Sequence, residues 1–190
     1  MRVEHAIVMT GIGGQGIQLV AKLLAQAAMR EGRQVMMFGL FMGMIRGGSS
    51  ESTVVIADRE ILTPPIVPSA WALLAMHPEG LPALGRKAEP GGVLVFNSSL
   101  VTAPPVWDGI SRVPVPATEM AKAMGQPMGA SMIALGALAA TTGVVAVASL
   151  HAALGEVLPP HRRKLIDTNT LSITRGAEHV AAAERVAAWG

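Results

Sequence analysis

Short apolar runs alternate along this chain with amphipathic stretches. Residues 5–10, His5-Ala6-Ile7-Val8-Met9-Thr10, make a compact run of strand length. Beyond Gly11-Ile12-Gly13-Gly14-Gln15-Gly16, apolar positions recur at Ile17, Val20, Leu24 and Ala27, with Lys22, Gln26 and Arg30 off that face. That spacing predicts an amphipathic helix, with Gly32 as its stop signal. Residues 34–38 predict a second buried strand, and residues 53–57 a β-branched one closing at the turn Asp58-Arg59-Glu60. Residues 71–76 and 93–96 are further continuous apolar strands. Residues 112–116 carry Pro114 and Pro116 and predict an edge strand. Helices are expected within 79–89, from 117 to 124, as an apolar pair at 131–140 and 145–158, and as a closing helix at 178–189.

Buried strands alternating with helices predict an α/β fold: a Rossmann-like, mostly parallel sheet flanked by helices, with an antiparallel excursion near residues 53–58. No internal repeat or long linker divides residues 1–190, so a single domain is expected.

Composition narrows the function. Half of the 190 residues are hydrophobic (51%), enough for a sizeable core. The net charge of +2, with three Phe, three Trp and no Tyr, argues against nucleic-acid binding. The chain has no Cys, which excludes thiolate metal sites and iron–sulfur ligation by its own thiolates. Its start does not read as a signal peptide, and a cytoplasmic location is expected. Residues 125–150 carry no charge and could span a bilayer. However, Gly125, Pro127, Gly129, Gly136 and Gly143 interrupt them, with a break at Thr141-Thr142-Gly143. No membrane span is expected; a buried helix pair, between layers or against a partner subunit, is.

Candidate chemistry is sparse. The glycine turn Gly11 to Gly16 offers bare amides at a helix start, which can approach a phosphate or a carbonyl. A dinucleotide fold would place an acidic residue about 20 residues beyond those glycines. Met36, Met37, Phe38 and Gly39 stand there instead. Arg46-Gly47-Gly48-Ser49 pairs a guanidinium fork with tight backbone, as a ligand anchor or as a solvated surface turn. Asn97-Ser98-Ser99 end a strand and are read as capping the next turn. His161-Arg162-Arg163-Lys164 is the strongest basic cluster. It is read as a solvated face, the alternative being contact with an acidic partner or a nucleotide tail. The five His are scattered, so no metal site and no self-sufficient catalytic constellation is expected.

At these positions the sequence resembles the gamma subunit, or equivalent domain, of the 2-oxoacid:ferredoxin oxidoreductases (pyruvate, 2-oxoglutarate, 2-oxoisovalerate and indolepyruvate types). Gly11-Ile12-Gly13-Gly14-Gln15-Gly16 looks like that family's G-x-G-G-Q-G turn, and Arg46-Gly47-Gly48-Ser49 like its R-G-G-[ST] segment. Residues 132–138 resemble its late apolar helix. The chain departs from the family where Phe41-Met42-Gly43-Met44 lacks a Glu, where Trp71 replaces an Asp, and where Ala130 and Ser131 stand near a usual Asn.

The resemblance implies an accessory subunit, not active alone. Alpha- and beta-type partner chains would carry thiamine diphosphate, magnesium and iron–sulfur clusters. The complex would oxidatively decarboxylate a 2-oxoacid to an acyl-CoA and reduce ferredoxin or another acceptor through those partners. Coenzyme A is the one substrate this chain would share. Gly11, Gly13, Gly14, Gln15 and Gly16 are the implied cofactor contacts, and Arg46, Gly47, Gly48 and Ser49 the active-site or interface anchor. Two other readings stand beside it: a stand-alone nucleotide-binding protein using the glycine turn, and a purely structural subunit.

Overall fold

The β-branched and aliphatic runs supply the six strands of one mixed sheet. The structure, a computed structural model, describes residues 3–42, 48–62, 64 and 66–181. The strands are β1 (Glu4–Ile12), β2 (Gln34–Met42), β3 (Ser49–Ala57), β4 (Ala70–Ala75), β5 (Ala88–Asn97) and β6 (Ser111–Val115). They stand side by side in the order β2-β3-β1-β4-β5-β6. β1, β4, β5 and β6 pair in parallel, whereas β3 runs antiparallel to both β1 and β2. The sheet is thus mostly parallel with one reversed strand.

That reversed strand starts earlier than the sequence suggests. It takes in Ser49 to Ser52, whose hydroxyl-rich composition reads as loop, and Ser50 and Ser52 are buried in it. β6 holds the outer edge, where a proline's missing N–H is tolerated.

Successive strand residues face opposite ways. Ile7, Met9, Ile56 and Leu74 point into the larger core, under α1 (Ile17–Arg30), α4 (Ala130–Thr142), α5 (Val147–Val157) and α6 (Ile166–Ala181). Val8, Val55, Leu73 and Leu94 point the other way. There they meet Leu81 and Leu84 of the short α2 (Leu81–Gly85), together with Val67 and Val101. α3 (Ala117–Ala123) follows β6 and packs on α4.

Every residue of α4 from Ser131 to Ala139 is buried. The middle of the uncharged stretch is therefore covered by this chain's own layers, whereas Pro127 and Met128 before it are exposed. Among the described residues no helix is long and apolar enough to cross a membrane.

The closing helix corrects the sequence reading. A helix was expected at 178–189; α6 begins at Ile166, and residues 182–190 lie outside the described set. Its contact with α4 is made through backbone. A Cβ placed on Gly136 would overlap the Ile173 carbonyl, and one on Gly176 would overlap that of Ile133. Such a contact rests on missing side chains, so glycine and serine stand on the buried face of α6 beside Ile173 and Val180.

A single methyl group tests this packing. Gly176→Ala should destabilise the chain in urea unfolding by about 1–3 kcal/mol, because overlap with a main-chain carbonyl outweighs the gain of about 1 kcal/mol in helix propensity. Gly155→Ala, in α5 with open space around it, should instead stabilise by up to about 1 kcal/mol. Stabilisation by both would show that α4 and α6 do not touch through their backbones.

Candidate functional site

β1 ends at Ile12 and α1 begins at Ile17, so Gly13-Gly14-Gln15-Gly16 must turn the chain within four residues. Two of them adopt the left-handed conformation that favours glycine: Gly14 has φ 95° and Gly16 has φ 77°. Gly16 is the N-cap of α1, without a side-chain cap, and its carbonyl accepts from the N–H groups of Leu19 and Val20.

Gln15 braces this turn from inside. Its Oε1 accepts from the Ile12 N–H at 2.9 Å, and its Nε2 donates to the Met76 carbonyl at 3.4 Å. The Gln15 N–H also donates to the Ile12 carbonyl at 3.1 Å. Gly11 makes room for that side chain, since a Cβ there would lie 2.7 Å from Gln15 Oε1. The Gln15 side chain therefore ties the turn both to the end of β1 and to the main chain just past β4.

The two motifs meet at the backbone. β1 and β3 pair Gly11 with Ser50 and Ile12 with Ser49. One step further, the Gly13 N–H donates to the Gly48 carbonyl at 2.9 Å. Gly48 and Ser49 thus lie directly against the glycine turn. Arg46 and Gly47, like Met44, lie outside the described residues.

β3 standing between β1 and β2 also carries the end of β2 one strand away from the turn. A ribose clamp at that end would not sit beside the glycines, and no acidic residue is there to form one.

Other singled-out residues serve the scaffold. Asn97 is buried; its Nδ2 donates to Thr118 Oγ1 at 2.8 Å, and its Oδ1 accepts from the Thr118 N–H at 3.3 Å. The Ser99 Oγ accepts from the Glu119 N–H at 3.1 Å. The polar end of β5 thus ties down the start of α3. Trp71 stacks on His5 with centroids 4.1 Å apart, at the amino end of β4 and so at the far end of the sheet from the turn. Burial lowers the His5 pKa, opposed by the Glu89 charge, and burial likewise lowers that of His151. Neither imidazole belongs to the glycine turn. Among the described residues no group of three or more His, Asp or Glu is placed to hold a metal.

The exposed side of the turn opens on a cavity of about 380 Å³, lined by Gly14, Gln15 and Gly16. Its other walls are the Gly125 to Gly129 connection, the first turn of α4 and the start of α6. A hollow of about 190 Å³ adjoins it and adds Met76, Leu100 and Thr118. Ser131, Arg162 and Asn169 of the larger cavity are not singled out by the sequence as site residues. Two signals pointed there: the departure from the family at Ala130 and Ser131, and the basic cluster holding Arg162. It forms an exposed 3-10 turn, Pro160–Leu165, with Arg162 at the cavity.

Known proteins share this architecture. A family profile described as "Pyruvate ferredoxin/flavodoxin oxidoreductase" matches residues 6–179. The 2-oxoglutarate synthase subunit KorC of Methanothermobacter thermautotrophicus is 30% identical, over 97% of this chain and 100% of that one. The crystal structure of a keto/oxoacid ferredoxin oxidoreductase gamma subunit from Geobacter sulfurreducens superposes with a TM-score of 0.80 at 30% identity, covering 95% of this chain and 98% of that one. A 2-oxoglutarate:ferredoxin oxidoreductase from Magnetococcus marinus, solved with 2-oxoglutarate, coenzyme A and succinyl-CoA bound, matches at a TM-score of 0.84. That likeness, at 22% identity over 98% of this chain and 33% of the larger one, is one of fold.

Removing the internal brace should loosen the turn without unfolding the sheet. Gln15→Ala should cost about 1–3 kcal/mol for its two side-chain hydrogen bonds and speed amide exchange at Ile12. Unchanged exchange at Ile12, read by NMR, would contradict the bracing role.

Proposed function

The chain belongs to the pyruvate ferredoxin/flavodoxin oxidoreductase family, and we propose that it is the gamma-type subunit of a thiamine-diphosphate-dependent complex acting on a 2-oxoacid. The complex releases carbon dioxide from the 2-oxoacid, transfers the acyl group to coenzyme A and passes the electrons to ferredoxin. Thiamine diphosphate with magnesium, held by alpha- and beta-type partner chains, supplies the carbanion chemistry, and iron–sulfur clusters on those partners carry the electrons. This chain has no thiolate with which to ligate a cluster. We place the complex in the cytoplasm.

The observation that carries the reading is the Gly13–Gly48 hydrogen bond. It welds the two segments that resemble family motifs into one corner, with Arg46 only two residues from the joint. Backbone amides at the glycine turn suit an anionic substrate or a neighbouring chain's carboxylate, and Arg46, close by in sequence, would add a guanidinium. Within the proposal, Arg46 and Ser49 anchor the partner interface, while Gly14 and Gly16 leave the backbone open to coenzyme A. A stand-alone dinucleotide enzyme has less support, because β3 displaces β2 from the turn.

Purification from native extract tests the assembly: the chain should co-elute with subunits holding thiamine diphosphate and iron–sulfur clusters. In that complex, Arg46→Ala should lower turnover of the 2-oxoacid by about ten- to a hundredfold, the worth of one charged hydrogen bond. Its Tm should move by less than about 2 °C. A monodisperse chain eluting alone, or an Arg46→Ala complex of full activity, would contradict the proposal.

A further inference from the structure

We infer that Lys87 and Gln18 are positioning residues: from opposite faces of the sheet they hold the start of β3, and through it the joint between Gly48 and the glycine turn. The inference rests on the reading above, in which that corner meets a partner chain, but the clamp itself can be tested in the free chain.

The start of β3 has little apolar packing to fix its place. Ser49-Ser50-Glu51-Ser52 enters the sheet between β1 and β2 without one aliphatic side chain. Gly11 of β1 stands opposite Ser50 and Gly39 of β2 opposite Ser52, so glycines adjoin both hydroxyls. The Ser52 hydroxyl is buried and makes no hydrogen bond among the described residues. Further along, Val54-Val55-Ile56-Ala57 are all buried aliphatic residues. Apolar burial thus holds the second half of the strand, whereas the first half needs directed bonds.

Two side chains supply them, and both end on Glu51. Gln18 reaches down from α1. It lies over Gly39, where a Cβ would overlap its Oε1, and its Nε2 donates to the Glu51 carbonyl at 3.1 Å. Ser52 shares that face with Gly39, because residues paired across two strands point the same way. The Glu51 side chain, one residue earlier, therefore points to the opposite face. There Lys87 Nζ donates to Glu51 Oε1 at 2.5 Å. Lys87 starts from a fixed main chain: its N–H donates to the Leu84 carbonyl at 2.9 Å, and its carbonyl accepts from the Ala70 N–H at 2.6 Å. Glu51 is thus held by its carbonyl from one side and by its carboxylate from the other. Three residues before it, the Gly48 carbonyl meets the Gly13 N–H.

This ion pair supplies position more than stability. Its side chains are largely out of water, with Lys87 21% exposed and Glu51 14%. Removing two charges from water offsets most of their attraction, so such a pair adds little net stability. What it adds is direction, since a charge-assisted hydrogen bond is short and narrow in geometry. Neither Lys87 nor Gln18 lines the cavity beside the glycine turn, and each acts on that turn through β3.

Amide exchange in the free chain, read by NMR, and turnover of the assembled complex test this together. Lys87→Met and Gln18→Leu should each speed exchange of the Gly13 amide about three- to tenfold, while the Leu73 and Leu94 amides, in β4 and β5, change by less than about twofold. Tm should fall by less than about 3 °C. In the complex each variant should lower kcat about three- to tenfold and leave the KM for the 2-oxoacid unchanged, since the partner chains would bind that substrate. Lys87→Arg, which keeps a charge on Glu51, should bring both readouts back to within about twofold of the unaltered protein. Unchanged Gly13 exchange in either variant would overturn the inference. So would equally faster exchange at Leu73 and Leu94, the mark of a merely structural pair, and so would faster Gly13 exchange with full turnover in the complex. Faster Gly13 exchange in a chain that never enters a complex would overturn the subunit assignment alone.

Discussion

The antiparallel pairing of β3 with β1 is the constraint on which the site depends. Nine residue pairs, from Glu4 with Ala57 to Ile12 with Ser49, lock the register. A slip by one residue would turn Val54 and Ile56 out of the larger core. Because the register is fixed, the ladder delivers Gly48 to Gly13 just where β1 gives way to the turn. The same insertion moves β2 to the sheet edge and leaves the glycine turn without a neighbouring ribose clamp. One strand reversal thus separates this architecture from a dinucleotide-binding one that shares its glycine spacing.

Beneath the turn, the packing of α4 on α6 decides what the turn faces. Gly136 and Gly176 allow the two helix backbones to meet, and both amino ends then open on the cavity beside Gly14 and Gly16. Larger residues at either glycine would hold the helices apart. A structural device in the core therefore helps shape a surface hollow away from the contact itself.

Much of this could be read from the chain's pattern, and the exceptions have physical causes. Continuous aliphatic runs revealed β1, β4 and β5, because strands covered on both faces need apolar side chains on both. The glycine turn was evident because left-handed backbone calls for glycine at Gly14 and Gly16. The first half of β3 was hidden, since Ser50 and Ser52 bury hydroxyls where the pattern expects aliphatic groups. The first twelve residues of α6 were hidden for a related reason. Of their buried residues, Ser172, Ile173 and Gly176, only Ile173 is aliphatic, and Gly176 meets α4 through its backbone. Gln15 reads as a ligand contact in sequence; it lines the cavity, and its side chain also bonds Ile12 and Met76, a bracing role the sequence does not announce. Arg162 reads as part of a solvated cluster because nothing local tells which of four neighbouring basic or imidazole side chains meets the cavity.

The central proposal is that the glycine turn, joined to Gly48 and Ser49, faces a partner chain that holds the redox cofactors. Hydrogen–deuterium exchange, comparing this chain free and in its native complex, reads that corner directly. The account predicts that peptides covering 11–19 and 43–50 gain protection together on assembly, while the amino end of β4 around Trp71 stays unchanged. Protection centred on Trp71, with the glycine turn exchanging equally in both states, would contradict it.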